Sequence, residues 1–285
     1  MNVSIDSPAR GASVEGIQRH YDLGDDFFRL WLDENLIYSC ALWELGDSLE
    51  TAQLRKLDQH VAEARAAQAK RVLDVGCGWG ALLSRLVQHH RVSTAVGLTL
   101  SRAQATHIAA RATPGVDVQL ESWEDHAPNA PYDAIISVEA FEHFARPGLS
   151  SHQRVERYGF FFERCRGLLV EGGWMSLQTS AYGLGRYRPC IFSDMFPESD
   201  LPRLAEIAAA TEHLFEIVRV YNDRAHYTRT VGVWLERLQA RRQEAVTIAG
   251  PETVERFEKY LKFVAHGFHQ NTFELYRITL RRIDA

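Results

Sequence analysis

Hydrophobic positions along this chain fall into two alternating rhythms. Short apolar runs at 71–75 (RVLDV), 92–98, 116–120, 134–138 and 174–179 have the length and β-branched content of buried strands. Amphipathic stretches at 81–89, 102–112 and 155–169 lie between them. Strands separated by helices of this length predict a mainly parallel, doubly wound α/β sheet with helices on both faces. Ahead of it, 14–31 carries apolar and aromatic residues at loose helical spacing, interrupted by Gly24 and aspartates, so two short helices are expected. Residues 48–69 read as one helix with Leu49, Ala52, Leu54, Leu57, Val61 and Ala64 as its stripe. Beyond Pro197 the pattern predicts a helix at 201–210, a strand at 215–221, long helices at about 224–247 and 252–268, and a final edge strand at 272–280. The expected organisation is a disordered tail over 1–12, a helical segment over 13–70, and a core over 71–285 with cap helices at about 182–212 and 224–268.

Composition narrows the class. The 285 residues are 46% hydrophobic and 24% charged, as in ordinary globular proteins, and the net charge of −5 argues against nucleic acid as a partner. Cys40, Cys77, Cys165 and Cys190 form no CxxC pair, and the histidines show no zinc spacing around them. No metal site is expected, and reduced thiols fit a cytoplasmic protein. The first residues lack the apolar core of a signal peptide, and no run approaches the roughly 20 apolar residues of a membrane span. Contact with lipid would be peripheral at most. Oligomeric state stays open, a homodimer included.

The chemistry starts at LDVGCGWG, 73–80, where Gly76, Gly78 and Gly80 follow a strand and open a helix. Glycines there let the backbone approach a ligand, and the helix start offers free N–H groups. A dinucleotide site would place an acidic residue about 20 positions on to hold ribose hydroxyls. Here no acidic residue occurs between Val75 and Val116; Thr99, Ser101 and Gln104 of GLTLSRAQ offer neutral hydrogen-bonding groups instead. Trp123, just past the third strand, could cover a purine or simply fill core. Next, SVEAFEHFARP (137–147) sends an apolar strand into Glu139, Glu142 and His143. A solvated helix start explains those acids cheaply. So does a site that handles charge. On a helix the three would lie on neighbouring faces.

These motifs resemble the cyclopropane fatty acid synthase (mycolic acid cyclopropane synthase) family of S-adenosylmethionine-dependent methyltransferases. The resemblance rests on HYDLGDDFF (20–28), YSCA (38–41), DVGCGWG, GLTLS, FEHF (141–144), MFP (195–197), the HY at 226–227 and FEKYL (257–261), and spans about 16–281. It implies a class I, Rossmann-like methyltransferase fold with an antiparallel last strand and helical insertions forming a cap. It also implies S-adenosylmethionine as cofactor, with Asp74, Gly76, Gly78, Gly80 and Val138 around it. Tyr38 and Ser39 would close over the amino-acid part, Thr99, Leu100 and Gln104 would meet the ribose, and Trp123 the adenine.

In the family's cyclopropane-forming members a bound bicarbonate serves as base, cradled by the Cys of YSCA, the Glu of FEH, a strand His and the Tyr of the late HY. Cys40, Glu142 and Tyr227 fill three of these positions, but Gln178 stands where the His would be. Glu139 departs too, replacing the usual Gly. A carboxylate at an anion site repels bicarbonate. The E-x-F-E-H pattern resembles coclaurine N-methyltransferase, where two Glu and a His are associated with holding and deprotonating an amine.

The candidate catalytic set is therefore Glu142, Glu139, His143, Tyr227, Cys40 and Gln178, although Cys40 reads nearly as well as a buried spectator. Phe160, Phe161, Phe162, Phe192, Phe196 and Tyr187 read as core or the wall of an apolar acceptor pocket; Arg186 and Arg188 as surface, or contacts to an acidic group. His89 and His90, ending a helix, read as solvated. The polar stretch 146–156 suggests a mobile loop. The first expectation is methyl transfer to nitrogen or carbon of a small apolar or cationic metabolite of specialised metabolism. The alternative is a cyclopropane synthase or lipid C-methyltransferase acting on an unsaturated acyl chain. A cofactor-binding protein without catalysis is the remote third.

Overall fold

The computed structural model describes residues 11–21, 23–183 and 195–284. The expectations placed on the tail up to residue 10, and on Arg186, Tyr187, Arg188, Cys190 and Phe192, lie outside these. Seven strands make one sheet: β1 (Arg71–Val75), β2 (Thr94–Thr99), β3 (Val116–Leu120), β4 (Tyr132–Val138), β5 (Leu169–Tyr182), β6 (Phe215–Asn222) and β7 (Phe273–Arg282). Their order is β3-β2-β1-β4-β5-β7-β6. The first five run parallel, and β7 lies antiparallel between β5 and β6.

Two short helices, α1 (Val14–Tyr21) and α2 (Asp25–Phe28), precede α3 (Leu49–Glu63). Helices α4 (Ala81–Gln88), α5 (Arg102–Arg111) and α6 (Ser151–Leu168) cross over between strands. The later helices are α7 (Leu204–Ala210), α8 (Arg224–Ala240), α9 (Arg242–Ala249) and α10 (Pro251–His269). Strand alternation splits the core. Val72, Ala134 and Ile136 pack with Leu57 and Leu83 on one face; Leu73 and Ile135 pack with Phe161 and Phe162 on the other. A third cluster joins Phe27 and Trp31 of the N-terminal segment to Trp234, Phe257 and Leu261 of the cap. The chain reverses its winding between β1 and β4, so the ends of these strands open a crevice suited to a ligand.

Several expectations change. The last strand is interior, not an edge. Its polar alternates are buried with partners: Thr279 Oγ1 donates to Glu63 at 2.6 Å, and Arg277 Nε to Gln178 at 2.7 Å. The exposed edge is β6. Helix α3 stops six residues early, because Arg65 and Gln68 adopt positive φ (50° and 63°) to turn the chain into β1. The 224–247 helix breaks at Arg241 into α8 and α9. In 146–156, Ser150 caps α6 through the Gln153 N–H, and Arg154 reaches Glu206 on α7 at 2.6 Å. That stretch is half helix, docked on a neighbour. Gly11 and Ala12, expected in the tail, meet the site: Ala12 N–H donates to the His143 carbonyl at 2.8 Å.

Candidate active site

Strand β4 does not enter a helix. Glu139 takes a positive φ of 54°, and only a single 3-10 turn, Phe141–His143, follows. The strained residue keeps a ladder bond, its N–H donating to the Gln178 carbonyl at 2.8 Å. This conformation sends its side chain inward rather than to water. Glu139 Oε1 accepts from the Cys40 N–H (2.8 Å) and Gln178 Nε2 (2.6 Å), and Oε2 accepts from the Tyr227 hydroxyl. The reading of Glu139 as a solvated helix start is therefore corrected.

Gln178 cannot flip. Arg277 Nε, which can only donate, reaches Gln178 Oε1 at 2.7 Å, and His60 Nε2 stands 3.0 Å from the same oxygen. The amide nitrogen is thereby turned onto Glu139. His60 Nδ1 meets Ser176 Oγ at 2.8 Å, and burial holds the imidazole neutral, with its pKa lowered to about 3. Arg277 is ion-paired with Asp223. Cys40 and Gln178 thus stand behind Glu139 and line neither cavity described below. Burial pushes the Cys40 thiol up to about 12, so it is no anionic nucleophile.

Glu142 differs from its neighbour. Its Oε1 accepts from the Ser180 N–H at 2.5 Å, while its buried Oε2 has no protein partner. Burial first, then the charge of Glu139, raises its pKa to about 8. Burial raises Glu139 as well, but Tyr227, Cys40, Gln178 and Lys56 all oppose that shift. Of this pair Glu142 holds the proton near neutrality. His143 Nδ1 meets Ser199 Oγ at 2.6 Å, its Nε2 stands 3.4 Å from the Tyr21 hydroxyl, and burial lowers its pKa to about 4.

Two cavities meet at these residues. The larger is lined by Tyr38, Ser39, Asp74, Gly76 and Gly78, by Thr99, Leu100, Gln104 and Trp123, and by Val138. The smaller is lined by Glu142, Tyr227, Phe196, Trp234 and Tyr260. Glu139, His143, Tyr21 and Tyr38 line both. Gly80 does not line the larger cavity: at φ 79° it caps α4, where a Cβ would come 2.7 Å from Ile108. Ser101, fully buried, caps α5 through the Gln104 N–H. His90 is paired with Asp58 at 2.8 Å.

The larger cavity fits S-adenosylmethionine. Gly76 and Gly78 have φ of 81° and 53°. A Cβ at 76 would strike Ala140 at 2.3 Å, while at 78 it would meet nothing within 4 Å, so the backbone itself forms the wall. Thr99 donates to Gln104 Oε1 at 2.7 Å, leaving the amide N–H₂ free for a ribose. Trp123 packs on Phe144 and Phe161, has Arg157 4.9 Å from its ring and lines the cavity, so it is core and lining at once. Sequence reasoning missed Lys56, Tyr21 and Tyr260. Helical periodicity marks position 56 as inward, but no rule for buried lysine says toward what.

The sheet order and the glycine-walled cavity beside it define a class I S-adenosylmethionine-dependent methyltransferase. The chain belongs to the mycolic acid cyclopropane synthetase family, whose sequence profile matches residues 9–278. It is 33% identical to cyclopropane mycolic acid synthase 1 of Mycobacterium tuberculosis over 93% of this chain and 96% of that protein. Mycolic acid cyclopropane synthase CmaA1 complexed with SAH and CTAB superposes with a TM-score of 0.86 at 33% identity, covering 95% of this chain and 99% of that one. Coclaurine N-methyltransferase bound to N-methylheliamine and SAH shares the fold, with a TM-score of 0.78 at 20% identity over 96% of this chain and 83% of that one. The protein is an enzyme, and its cofactor is S-adenosylmethionine; the non-catalytic reading is set aside.

Proposed function

We propose that this methyltransferase acts on a carbon–carbon double bond of an unsaturated acyl chain, with Glu139 as a built-in base. The relatives favour this alternative over the first expectation, since cyclopropane mycolic acid synthases match nearly the whole chain at 33–34% identity. The observation that carries it is the Glu139 carboxylate, held by Cys40, Gln178 and Tyr227 where the two cavities meet.

The cofactor supplies an electrophilic methyl group on a sulfonium. Tyr38, Ser39 and the glycine turn would hold its amino-acid end, and Thr99, Leu100, Gln104 and Trp123 the nucleoside. Methyl transfer would require the acceptor cavity to hold the alkene about 3 to 3.5 Å from the methyl carbon. Attack by the alkene forms one C–C bond, breaks the C–S bond and leaves a positive charge on the second alkene carbon. The rings of Tyr227, Trp234 and Tyr260 and the Glu139 carboxylate stabilise that charge. Glu139 then takes a proton from the transferred methyl, and the freed electron pair closes the ring. With that carboxylate in place, no bicarbonate is needed. Glu142, protonated, donates a hydrogen bond inside the acceptor cavity, and His143 fixes Tyr21 at its mouth.

A second reading, N-methylation of a small cationic amine, is favoured by one feature: aromatic rings surround the unpaired Glu142 Oε2. Cofactor carrying a fully deuterated methyl group separates the two. Ring closure retains two deuterons in the product, and mass spectrometry reads the count. Three deuterons in a lipid would mean a methyl branch and no ring; three deuterons on an amine would establish the second reading. A cytoplasmic location suits the free thiols of Cys40, Cys77 and Cys165. No helix of the described residues is long and apolar enough to cross a membrane.

A further inference from the structure

The cofactor cavity holds a buried positive charge that the chemistry above uses only at a distance, to steady the Glu139 carboxylate. Lys56, on the inward face of α3, is 1% exposed and lines this cavity. Its one described hydrogen bond runs from Nζ to Ser39 Oγ at 2.7 Å. An ammonium has three donors, and none of the described carboxylates pairs with this one. Burial lowers the Lys56 pKa to about 8, opposed by the charges of Glu139 and Asp33, although neither carboxylate is within ion-pair reach of it. The arrangement asks for an anion.

Ser39 points the same way. Because its oxygen accepts from Lys56, its own hydroxyl hydrogen is left to donate elsewhere. Ser39 is itself buried and lines the same cavity, with its carbonyl pinned by Gln53 Nε2 at 2.8 Å. Asp74 lines this cavity as well, its carboxyl raised by burial to about 7 and eased by Lys56. Other charged groups along the wall are already committed: Arg157 to Glu124, and Glu121 to His126 at 2.5 Å. Among the described residues, Lys56, Ser39 and Asp74 together offer both signs of charge to a zwitterion.

We infer that Lys56, directly and through Ser39, anchors the carboxylate of the cofactor's amino-acid tail, opposite Asp74 at the ammonium. Lys56 is then a cofactor-binding residue as well as a charge that steadies Glu139. The inference concerns the cofactor alone and stands or falls independently of the acceptor.

The test is calorimetry on the full chain without acceptor. One ligand is S-adenosylhomocysteine; the other is its decarboxylated analogue, which keeps the amine and loses the carboxylate. Lys56→Met is expected to weaken S-adenosylhomocysteine about ten- to hundred-fold, the range of a charge-assisted hydrogen bond, and to leave the analogue unchanged. Ser39→Ala should show a smaller loss confined to the same ligand. Equal weakening of both ligands by Lys56→Met, or of neither, overturns the inference. Should Lys56→Met not fold, Ser39→Ala decides: a loss shared by both ligands refutes the anchor.

Discussion

At the scale of single residues, the two glutamates of the E-x-F-E-H run carry different protonation states despite lying three positions apart. Three donors face Glu139, whereas Glu142 accepts one backbone N–H and keeps an unpaired oxygen. Replacing Glu139 by Gln removes the base but keeps the volume. Turnover is expected to fall by about 10² to 10⁴, the usual worth of a general base, with S-adenosylhomocysteine affinity nearly unchanged. Steady-state kinetics beside calorimetry checks both halves; full turnover in Glu139→Gln would remove Glu139 from the mechanism. Added bicarbonate should leave the wild-type rate unaltered. Glu142→Ala should likewise spare cofactor binding while lowering turnover, because it removes the hydrogen-bond donor from the acceptor cavity.

Helix α3 shows how one element serves two sites. Its buried face carries Leu57 and Val61 into the core, and the same face delivers Lys56 to the cofactor cavity and His60 to Gln178. The helix must therefore be held in register. Ser48 caps it by accepting from the Thr51 N–H at 3.2 Å. Ser48→Ala is expected to destabilise the protein by about 1 kcal/mol, measurable as a lower urea midpoint at constant slope. The glycine turn is less forgiving: Gly76→Ala combines positive φ with a 2.3 Å approach to Ala140, so cofactor binding should fail as well as stability. Loss of S-adenosylhomocysteine heat in calorimetry reads that failure.

For the whole molecule, buried titratable groups set a stability profile in pH. Burial lowers His20, His60 and His143 from 6.5 to about 3, 3 and 4. The unfolded chain takes up their protons first, so their contribution is intact above pH 6.5 and lost as pH falls toward 3 to 4. Glu142 works in the opposite sense. Its pKa rises from 4.5 to about 8, so its contribution is present below 4.5 and lost as pH rises through 8. Asp74, raised from 3.8 to about 7, acts in the same direction as Glu142. The cofactor-free protein should therefore melt highest near pH 6.5 and lose Tm toward pH 8. Scanning calorimetry across pH reads this, and Glu142→Gln should flatten the alkaline side.

By itself the sequence determined the strand–helix alternation, the glycine turn and the family. Each of these rests on local chemistry: a period of two or 3.6, or a backbone that only glycine adopts easily. The first strand at 71–75 and the third at 116–120 are found where the pattern put them. The tertiary structure alone decided what polar residues inside the pattern were for. The last strand read as an edge, yet its Arg277 and Thr279 are buried partners of Gln178 and Glu63, because β6 packs outside β7. Lys56 gave no signal beyond its place on an inward stripe. Glu139 could not be told from a helix cap until its positive φ and its three donors, drawn from distant segments, were on view. Hydrophobic spacing records which way a side chain faces, whereas its partners belong to segments about 40 to 100 residues away, and only folding brings those together.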